Sequence, residues 1–528
     1  MTLPARRVLL RFLLGPSPLS PLAVGPLALG VLACCLLAGG FAGPVAVAAP
    51  PNILWVITDD QSDDMGAYGT PAVSTPRMDG LAAQGVLYTN AYTTAPVCSA
   101  SRTGMITGVY QTSLPLGMHH RTLQKSKRPL PEGVRPVTHY FRDAGYFVGD
   151  AKDTFDGNGK FDFNFARDSG EPLRFEDVFD GNDWRQAGGK PWFVQVNLYE
   201  PHRPFRGANK RLSRREELEL PGDLPNHPLT RADYADYLAS IETADRKIGA
   251  VLDRLAADGL ADNTIVFFFG DNGREFTRAK GTGYDAGCHV PLVVRVPEGL
   301  RRGRPDLAPG TVNRGLVSML DVTAASIAAA GIDLSAPRLA HLQGVDMLAA
   351  GFQGRDAVHS AMDRNSNVPQ RMRMIREGRL AYIRNLVAPP GYFGLHSCWY
   401  SKQERPTEVL LEIMRAKGMT GHPNLADAWP DEELYDLEAD PYQLKNLAAD
   451  PAYAADIQRM RERLEAWMEA TSDRGGDPDP DAEPSIAWYE EVGRYRHLDD
   501  KGLPRDTTDE EYLRWWLDFF GLPEDAAP

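Results

Sequence analysis

The sequence predicts a doubly wound α/β domain on a mixed sheet, followed by a smaller α+β domain that carries an antiparallel sheet. Short apolar runs alternate with helical patterns through the first part of the chain, and several of these runs stop abruptly at polar residues. After about residue 348 the sequence changes character, with a strand pattern followed by further helical stretches. We therefore expect a leader over residues 1–48, a larger domain over 49–348 and a C-terminal subdomain over 349–528.

Three apolar runs are typical of strands that are buried on both faces of a sheet. They cover residues 51–58, 192–198 and 264–269. The first run ends at Asp59 and Asp60, and the third is followed by Asp271 and Asn272. The second ends before a turn that contains His202. Because ligands bind beyond the carboxyl ends of strands in open α/β sheets, we expect these polar residues to converge.

Helical periodicity and turn signals complete the predicted fold. Residues 232–255 carry apolar side chains at three- and four-residue steps, which predicts a helix packed on the sheet. The remaining predictions are a strand over 380–385, a helix over 451–470, a surface loop over 473–484, and a docking helix with Trp515 and Trp516 in the tail.

The first 48 residues have the pattern of an export signal. Three arginines within the first eleven residues precede an apolar stretch over 22–42, and small residues at 46–48 suit cleavage. A membrane anchor is the alternative, but Pro and Gly interrupt the apolar stretch, so no stable membrane span is expected. Cys34 and Cys35 match a lipid attachment site poorly. We expect a periplasmic or secreted protein.

The charge and cysteine content exclude some classes of partner and fold. The chain of 528 residues has a formal charge of −14, and loss of the three leader arginines would take this to −17. Nucleic acid is not an expected partner, because phosphate binding requires a basic surface. Outside the leader only Cys98, Cys288 and Cys398 remain, so at most one disulfide can form.

The polar strand ends predict a metal site. Asp59, Asp60, Asp271 and Asn272 offer only oxygen ligands, which favours a hard cation such as calcium over zinc. Either pair alone is more often a turn or a helix cap. Their positions at two matching strand ends favour the metal.

The most informative motif is Cys98-Ser-Ala-Ser-Arg102, followed by Thr103 and Gly104. In a helix, residues four apart share a face, so Arg102 would project beside Cys98 near a helix start that attracts anions. A buried thiol with a surface arginine is an equally good interpretation of this motif alone.

The motif resembles the signature of the type I, formylglycine-dependent sulfatases, Cys-x-Pro/Ala-x-Arg followed by Thr-Gly. This resemblance implies an alkaline-phosphatase-like fold. It further implies that a maturation enzyme converts Cys98 to formylglycine, whose hydrated aldehyde attacks sulfur. One calcium ion would be bound by residue 98 together with Asp59, Asp60, Asp271 and Asn272.

The resemblance extends to two cationic or titratable positions. Residues 280–287 are similar to the family segment Lys-Gly-Thr-x-Tyr-Glu-Gly-Gly, with Asp285 and Ala286 as departures. Lys280 would then bind the sulfate on the leaving-group side, although a lysine in such a place is usually a solvated charge. His202 matches a family histidine that contacts the sulfate or protonates the leaving atom, although it could simply be bonded within its loop.

One stretch departs from the family pattern. Many relatives carry Gly-Lys-x-His here, and Lys152 can fill the lysine role, but Thr154 stands where the histidine would be. Either another base acts in its place or the match is off by one residue. Asp153 and His289 are both candidates for that base.

The overall layout is most similar to the branch that includes N-sulfoglucosamine sulfohydrolase. Residues 199–203, 161–163 and 433–447 have counterparts there. Asp363 and Arg364 are candidate sugar contacts from the second domain, and a surface ion pair is the alternative.

These observations predict a sulfuric ester hydrolase that acts on a sulfate ester or sulfamate, with a sulfated carbohydrate as the expected substrate. A phosphodiesterase or phosphonate hydrolase of the same fold is one alternative. A sulfoglycan-binding protein that has lost turnover is another, supported by Thr154 alone.

Overall fold

A computed structural model describes residues 49–120, 122–151, 155, 160–205, 218–365, 370–387, 405–426, 429–477, 479–492 and 495–528. The expected leader with Cys34 and Cys35 lies outside the described residues, as do Lys152, Asp153, Thr154 and Cys398. Residues Ala49–Pro528 form one compact unit. The division between residues 348 and 349 stays a prediction.

Strands β1 to β10 precede the C-terminal region. They are β1 (Asn52–Thr58), β2 (Val86–Tyr92), β3 (Arg128–Pro129), β4 (Phe147–Asp150), β5 (Phe165–Ala166), β6 (Trp192–Asn197), β7 (Thr264–Gly270), β8 (His289–Arg295), β9 (Thr311–Asn313) and β10 (Val317–Ser318). The main sheet has the order β10-β2-β8-β7-β1-β6-β4, with β9 paired to β2, and β3 pairs with β5 apart from it. Strand β8 is antiparallel to β7 and β2, whereas β1, β4, β6 and β7 are mutually parallel. The sheet is therefore mixed, as predicted.

The helices alternate with these strands and continue into the C-terminal region. They are α1 (Pro76–Gln84), α2 (Cys98–Thr107), α3 (Val137–Asp143), α4 (Phe175–Val178), α5 (Pro228–Ala257), α6 (Asp285–Cys288), α7 (Glu298–Arg301), α8 (Met319–Ala329), α9 (Pro406–Ala416), α10 (Ala454–Ala470), α11 (Glu483–Val492), α12 (Arg496–Asp499) and α13 (Asp509–Phe520). None of the helices in the described ranges combines the length and apolar character that crossing a bilayer requires.

Side chains of β1 alternate between two hydrophobic cores on opposite faces of the main sheet. Ile53, Trp55 and Ile57 pack into one core, which also contains residues of α3 and α8. Leu54 and Val56 pack into the other, which contains much of α5. A strand with apolar residues at every position is thus buried on both faces, and the prediction of a doubly wound sheet is confirmed.

The C-terminal region contains a four-stranded antiparallel sheet. Its strands are β11 (Val358–Met362), β12 (Arg371–Glu377), β13 (Leu380–Val387) and β14 (Glu432–Asp436), in sequential order. One face packs on α10, and the other faces the loop between β7 and β8. The predicted antiparallel sheet is therefore confirmed.

The prediction of a surface loop over residues 473–484 is wrong in part. The Asp473 carboxylate is buried and forms an ion pair with Arg373 of β12. The Arg371 guanidinium donates to the carbonyl of Gly475 at 3.0 Å. Cations of β12 therefore hold this polar segment against the sheet, and α11 begins at its end.

Candidate active site

The polar ends of β1 and β7 lie in direct contact. These two strands are adjacent and parallel, with Thr58 opposite Gly270. The backbone N–H of Asp60 donates to Asp271 Oδ1 at 3.0 Å, and the amide of Asn272 donates to Asp60 Oδ1 at 2.9 Å. Asp59 and Asp60 therefore form one buried cluster with Asp271 and Asn272, although the two pairs follow separate strands in the sequence.

The backbone conformation at Asp60 and Gly273 is consistent with the close contact between the two strand ends. Asp60 has φ 66°, in the left-handed region that non-glycine residues rarely adopt. A residue held in such a conformation is typical of functional sites. Gly273 follows Asn272, and a Cβ at this position would lie 1.9 Å from the Ala286 carbonyl oxygen. Only glycine therefore allows the turn after β7 to pack so closely on α6.

Cys98 is the first residue of α2, a helix buried along its entire length. Gly108 ends the helix in a left-handed conformation. The Ser101 hydroxyl donates to the Asp271 carbonyl at 2.6 Å, which fixes the helix against β7. The Cys98 thiol lies 3.8 Å from Asp60 Oδ1. The helix start therefore points its first side chain at the carboxylate cluster.

Arg102 lies one turn after Cys98 and is also buried. Its Nε donates to Asp271 Oδ2 at 2.8 Å, and its guanidinium also donates to the side-chain oxygen of Asn197 at the end of β6. The neighbouring carboxylate of Asp271 raises the pKa of Arg102 although burial opposes this. The arginine therefore ties α2 to the ends of both β6 and β7.

Lys280 and His202 reach the same cluster from two loops. Lys280 Nζ lies 2.6 Å from Asp60 Oδ2 and 3.5 Å from Glu275 Oε2. His202 Nε2 lies 3.7 Å from Asp60 Oδ2, and its Nδ1 contacts the Arg203 carbonyl. Since a carbonyl only accepts, Nδ1 carries the proton of the neutral ring. The interpretation of Lys280 as a solvated charge is excluded, because its side chain is buried.

Sequence reasoning missed two charged residues of this cluster. Lys160, whose side chain is only slightly exposed, forms an ion pair with the buried carboxylate of Asp59. Glu275 has a ligand atom within 4.8 Å of ligand atoms on Asp60 and His202. Lys160 immediately precedes residues 161–163, which carried part of the family resemblance, and Glu275 lies in the same turn as Asp271. Attention to charges beside recognised motifs would have found both.

The charges in the cluster shift several ionisation equilibria. Burial opposes ionisation of Asp59, but nearby cations led by Lys160 outweigh it and hold the pKa of Asp59 below its usual range. Burial and the charge on Asp59 raise the pKa of Asp60, against the effect of Lys280. Burial and the Lys280 charge lower the pKa of His202 to about 3.

Burial raises the pKa of the Cys98 thiol above its usual range, and the charges of Lys160 and Lys280 offset this only in part. The residue is therefore a protonated thiol at neutral pH. A thiol is a weak nucleophile, because the thiolate is the reactive form. An unmodified Cys98 is consequently poorly suited to nucleophilic attack.

The donor atoms of the cluster fit a hard divalent cation. Carboxylate oxygens of Asp59, Asp60 and Asp271 lie within 4.8 Å of one another. Asp59 Oδ1 and Asn272 Oδ1 are buried and accept no hydrogen bond from the described residues. Buried oxygens without donors are costly unless a ligand satisfies them. A metal ion bound by these oxygens would remove that cost.

Other predicted residues lie elsewhere or outside the described ranges. Lys152, Asp153 and Thr154 are among the latter. His289 Nδ1 lies 3.3 Å from Asp285, and its Nε2 lies 2.9 Å from the Thr89 carbonyl.

Asp363 and Arg364 are both buried, so they do not form a surface ion pair. Asp363 instead pairs with Arg373 at 2.8 Å, and Arg364 donates to the His120 carbonyl at 2.6 Å. The His120 ring lies 3.3 Å from the hydroxyl of Ser99, the residue after Cys98. Arg364 is thereby linked to the start of α2.

The part of the chain that carries this cluster is similar to a family of known proteins. The family model of the sulfatases matches residues 51–332, which include β1, α2 and the turn after β7. The chain belongs to the sulfatase family. This sulfatase is a sulfuric ester hydrolase of type I, near the sulfamidase branch.

Two curated relatives cover most of the sulfatase chain. An ulvan-active sulfatase of Formosa agariphila is 29% identical over 81% of this chain and 76% of the relative. Human N-sulphoglucosamine sulphohydrolase is 27% identical over 81% of this chain and 91% of the relative. Both alignments extend well beyond the residues that the family model matches.

A solved structure shows that the fold is shared beyond sulfatases. Phosphonate monoester hydrolase of Agrobacterium radiobacter aligns with a TM-score of 0.52 and 20% identity, over 80% of this chain and 97% of that chain. At this identity the likeness establishes the fold alone. The alkaline-phosphatase-like fold predicted from the resemblance is confirmed.

Proposed function

We propose that this sulfatase hydrolyses a sulfate ester or sulfamate on a sulfated carbohydrate, with formylglycine at position 98 and one bound calcium ion. The observation that carries the proposal is the position of Cys98, 3.8 Å from Asp60 in a cluster whose donor oxygens suit a hard cation. The curated relatives named for ulvan and N-sulphoglucosamine support a carbohydrate substrate.

Asp59, Asp60, Asp271 and Asn272 would hold the calcium ion together with residue 98. When bound, the ion supplies positive charge that withdraws electron density from the sulfate, and the hydrated aldehyde supplies the attacking hydroxyl. A calcium ion suits this set, because calcium prefers oxygen ligands and the four side chains at 59, 60, 271 and 272 all offer carboxylate or amide oxygens.

The cations of the site have separate tasks. Lys280 contacts Asp60 from the loop after β7, and Lys160 contacts Asp59. Both ammonium groups are placed to balance charge on sulfate oxygens. Lys152 retains this role as a prediction. Arg102 holds Asp271, so it positions a metal ligand as well as contributing charge.

We propose that His202 protonates the leaving oxygen or nitrogen after its neutral ring, which carries its proton on Nδ1, gains a second proton at Nε2, a change that the negative charge of bound sulfate favours. Its Nε2 faces the cluster, while Nδ1 is bound to the Arg203 carbonyl. Fixing one ring nitrogen in this way orients the other. The base that acts in place of the family histidine stays open, because Asp153 lies outside the described residues and both ring nitrogens of His289 are bonded elsewhere, to Asp285 and to the Thr89 carbonyl.

The direct test is the chemical state of residue 98 in protein from a host that contains the maturation enzyme. Trypsin releases this residue in the peptide over 78–102, and its mass distinguishes a thiol from an aldehyde. We expect the aldehyde. An unmodified cysteine together with tight sulfoglycan binding would favour the binding protein instead.

Turnover is tested on defined sulfated substrates. Heparan, chondroitin and ulvan oligosaccharides and a simple aryl sulfate are compared with an aryl phosphate and a phosphonate monoester. We expect sulfate release that Cys98→Ala abolishes. Cys288→Ala is the matched control, because Cys288 is also a buried free thiol but packs in the C-terminal core. Faster phosphonate than sulfate turnover would contradict the proposal.

The leader is tested separately. Expression with residues 1–48 in a bacterial host should yield periplasmic or secreted protein whose N-terminus lies near residue 49. Protein retained in the cytoplasm with an intact N-terminus would contradict export.

A further inference from the structure

The loop that carries Lys280 is enclosed by two other parts of the chain. The Gly281 N–H donates to the Pro96 carbonyl at 2.7 Å, close to Cys98. On the other side a Cβ at Gly283 would lie 3.4 Å from Cβ of Met374 in β12. The loop is therefore held between the start of α2 and the C-terminal sheet.

A buried carboxylate of that sheet bonds to the loop four residues after Lys280. Tyr284 is buried, and its hydroxyl donates to the two Glu433 oxygens at 2.8 and 3.1 Å. The hydroxyl of Tyr435 and the amide of Asn385 donate to the same carboxylate at 2.5 and 2.7 Å. Glu433 is thus bonded to residues of β13 and β14, and it holds the loop through its hydrogen bond with Tyr284.

Two further contacts hold the loop at the same point. The Arg278 guanidinium lies 3.8 Å from the centre of the Tyr284 ring and donates to the Gln443 carbonyl at 2.6 Å. The Asp285 N–H donates to the side-chain oxygen of Gln443 at 2.6 Å. The Tyr284 ring is consequently clamped between a cation and a carboxylate.

We infer that Glu433 is a positioning residue for Lys280, which it fixes beside Asp60 through Tyr284. The inference rests on the proposed function of Lys280 as a sulfate-binding cation. A buried carboxylate keeps its donors in place strongly, because losing a donor leaves the charge poorly solvated. Chemistry that requires Lys280 at 2.6 Å from Asp60 therefore depends on a residue of the C-terminal sheet.

The chain contains a matched control for this bond. Tyr382 of β13 is also buried, and its hydroxyl donates to Glu432, the neighbour of Glu433. Side chains alternate along a strand, so this pair lies on the face toward α10 instead of the loop. Tyr284→Phe and Tyr382→Phe each remove one hydroxyl that donates to a glutamate, and each leaves the ring.

A double-mutant cycle tests whether the bond acts through Lys280. We expect Tyr284→Phe to lower kcat/KM about tenfold in the wild-type background and less than about twofold in the Lys280→Met background, because the two residues act as one unit. Tyr382→Phe should change kcat/KM by less than about twofold in either background. Equal effects of Tyr284→Phe in both backgrounds, or equal effects of the two phenylalanine variants, would overturn the inference.

Hydrogen–deuterium exchange tests the positioning without any need for turnover. We expect Tyr284→Phe to speed exchange of peptides that cover residues 279–287 by about tenfold, and Tyr382→Phe to leave them unchanged. Should Tyr284→Phe fail to fold, Glu433→Gln provides the same comparison against Glu432→Gln. Unchanged loop exchange overturns the inference, whereas absent sulfate release by the wild type contradicts only the proposed function.

Discussion

Charge balance is the dominant feature at the scale of single residues. The carboxylates of Asp59, Asp60 and Asp271 are buried together, which is unfavourable without compensation. Arg102, Lys160 and Lys280 contribute three positive charges that contact them, so the formal charges of these six groups cancel. Glu275, 3.5 Å from Lys280, adds one negative charge, so a divalent cation would leave one positive charge in surplus, which favours binding of an anion such as sulfate.

The first prediction concerns metal binding at Asp59. We expect calcium to stabilise the wild type by about 2.7 kcal/mol at a hundredfold excess over its Kd. Asp59→Asn should lose most of this shift, because it removes a charged ligand oxygen. Thermal unfolding across a calcium titration measures it, with a chelator as reference.

Asp64→Asn is the control for this measurement. Asp64 is a buried carboxylate that accepts from Tyr234 at 2.8 Å, and it belongs to none of the ligand groups among the described residues. The variant should unfold at lower temperature but keep the calcium shift. A calcium shift lost equally in both variants would contradict the site.

The second prediction concerns Arg102. A lysine at this position cannot reach Asp271 and Asn197 together, because it lacks the planar fork of the guanidinium. Losing one buried charged hydrogen bond costs about 1.5–3 kcal/mol, so kcat/KM should fall roughly ten- to hundredfold in Arg102→Lys. Steady-state kinetics measure this loss.

Arg355→Lys is the matched control, since Arg355 also makes a forked ion pair, in which its Nε donates to Asp321 Oδ2 at 2.7 Å and its Nη2 donates to Asp321 Oδ1. It should lose stability but retain kcat/KM within about threefold. Activity of Arg102→Lys equal to that of this control would argue against a role for Arg102 in the reaction.

At the scale of elements, the adjacency of β1, β6 and β7 builds the site. Strands β6 and β7 both pair in parallel with β1, so Asn197 at the end of β6 lies beside Asp59 and Asp271, which directly follow β1 and β7. The apolar runs predicted the three strands, because central strands are buried on both faces. Their order in the sheet could not be predicted, since pairing partners lie far apart in the chain.

The third prediction tests how α13 is attached. Leu513 is buried in a cluster that α13 forms with α9 and the start of α5. Leu513→Ala should lower the free energy of unfolding by about 2–5 kcal/mol, because it leaves a cavity. Denaturant unfolding measures this.

Asp518→Ala on the exposed face of α13 is the comparison variant. Its effect should stay within about 0.5 kcal/mol. Equal values for the two variants would show that α13 is not docked through its apolar face.

For the whole molecule, stability at alkaline pH depends on His289, the first residue of β8. Burial alone would lower the pKa of His289, but the carboxylates of Asp63 and Asp285 outweigh it and raise this pKa to about 9. The folded protein therefore binds this proton more tightly than the unfolded chain, whose histidine has a pKa of about 6.5.

The fourth prediction follows from this difference. The stabilisation is complete below about pH 6.5 and is lost as pH rises through about 9, a contribution of about 3 kcal/mol. His289→Gln should remove this part of the pH dependence. Urea unfolding between pH 6 and pH 10 measures it.

His359→Gln is the control for the pH series. Burial, with the Arg355 charge, lowers the pKa of His359 to about 3, so the ring stays neutral throughout the range. This variant should keep the alkaline loss of stability. A wild type whose stability does not fall above pH 6.5 would contradict the prediction.

The fold class, the strand ends and most of the charged cluster can be predicted from local patterns in the sequence. This is possible because buried strands and sharp turns leave such patterns, and Cys98 and Arg102 lie within one short motif. Three features became visible only in the folded protein: Lys160 and Glu275 join the cluster, Asp363 pairs with Arg373, and Glu433 reaches Tyr284. These contacts join residues distant in the chain, and packing of separate elements, which no local pattern encodes, brings them together.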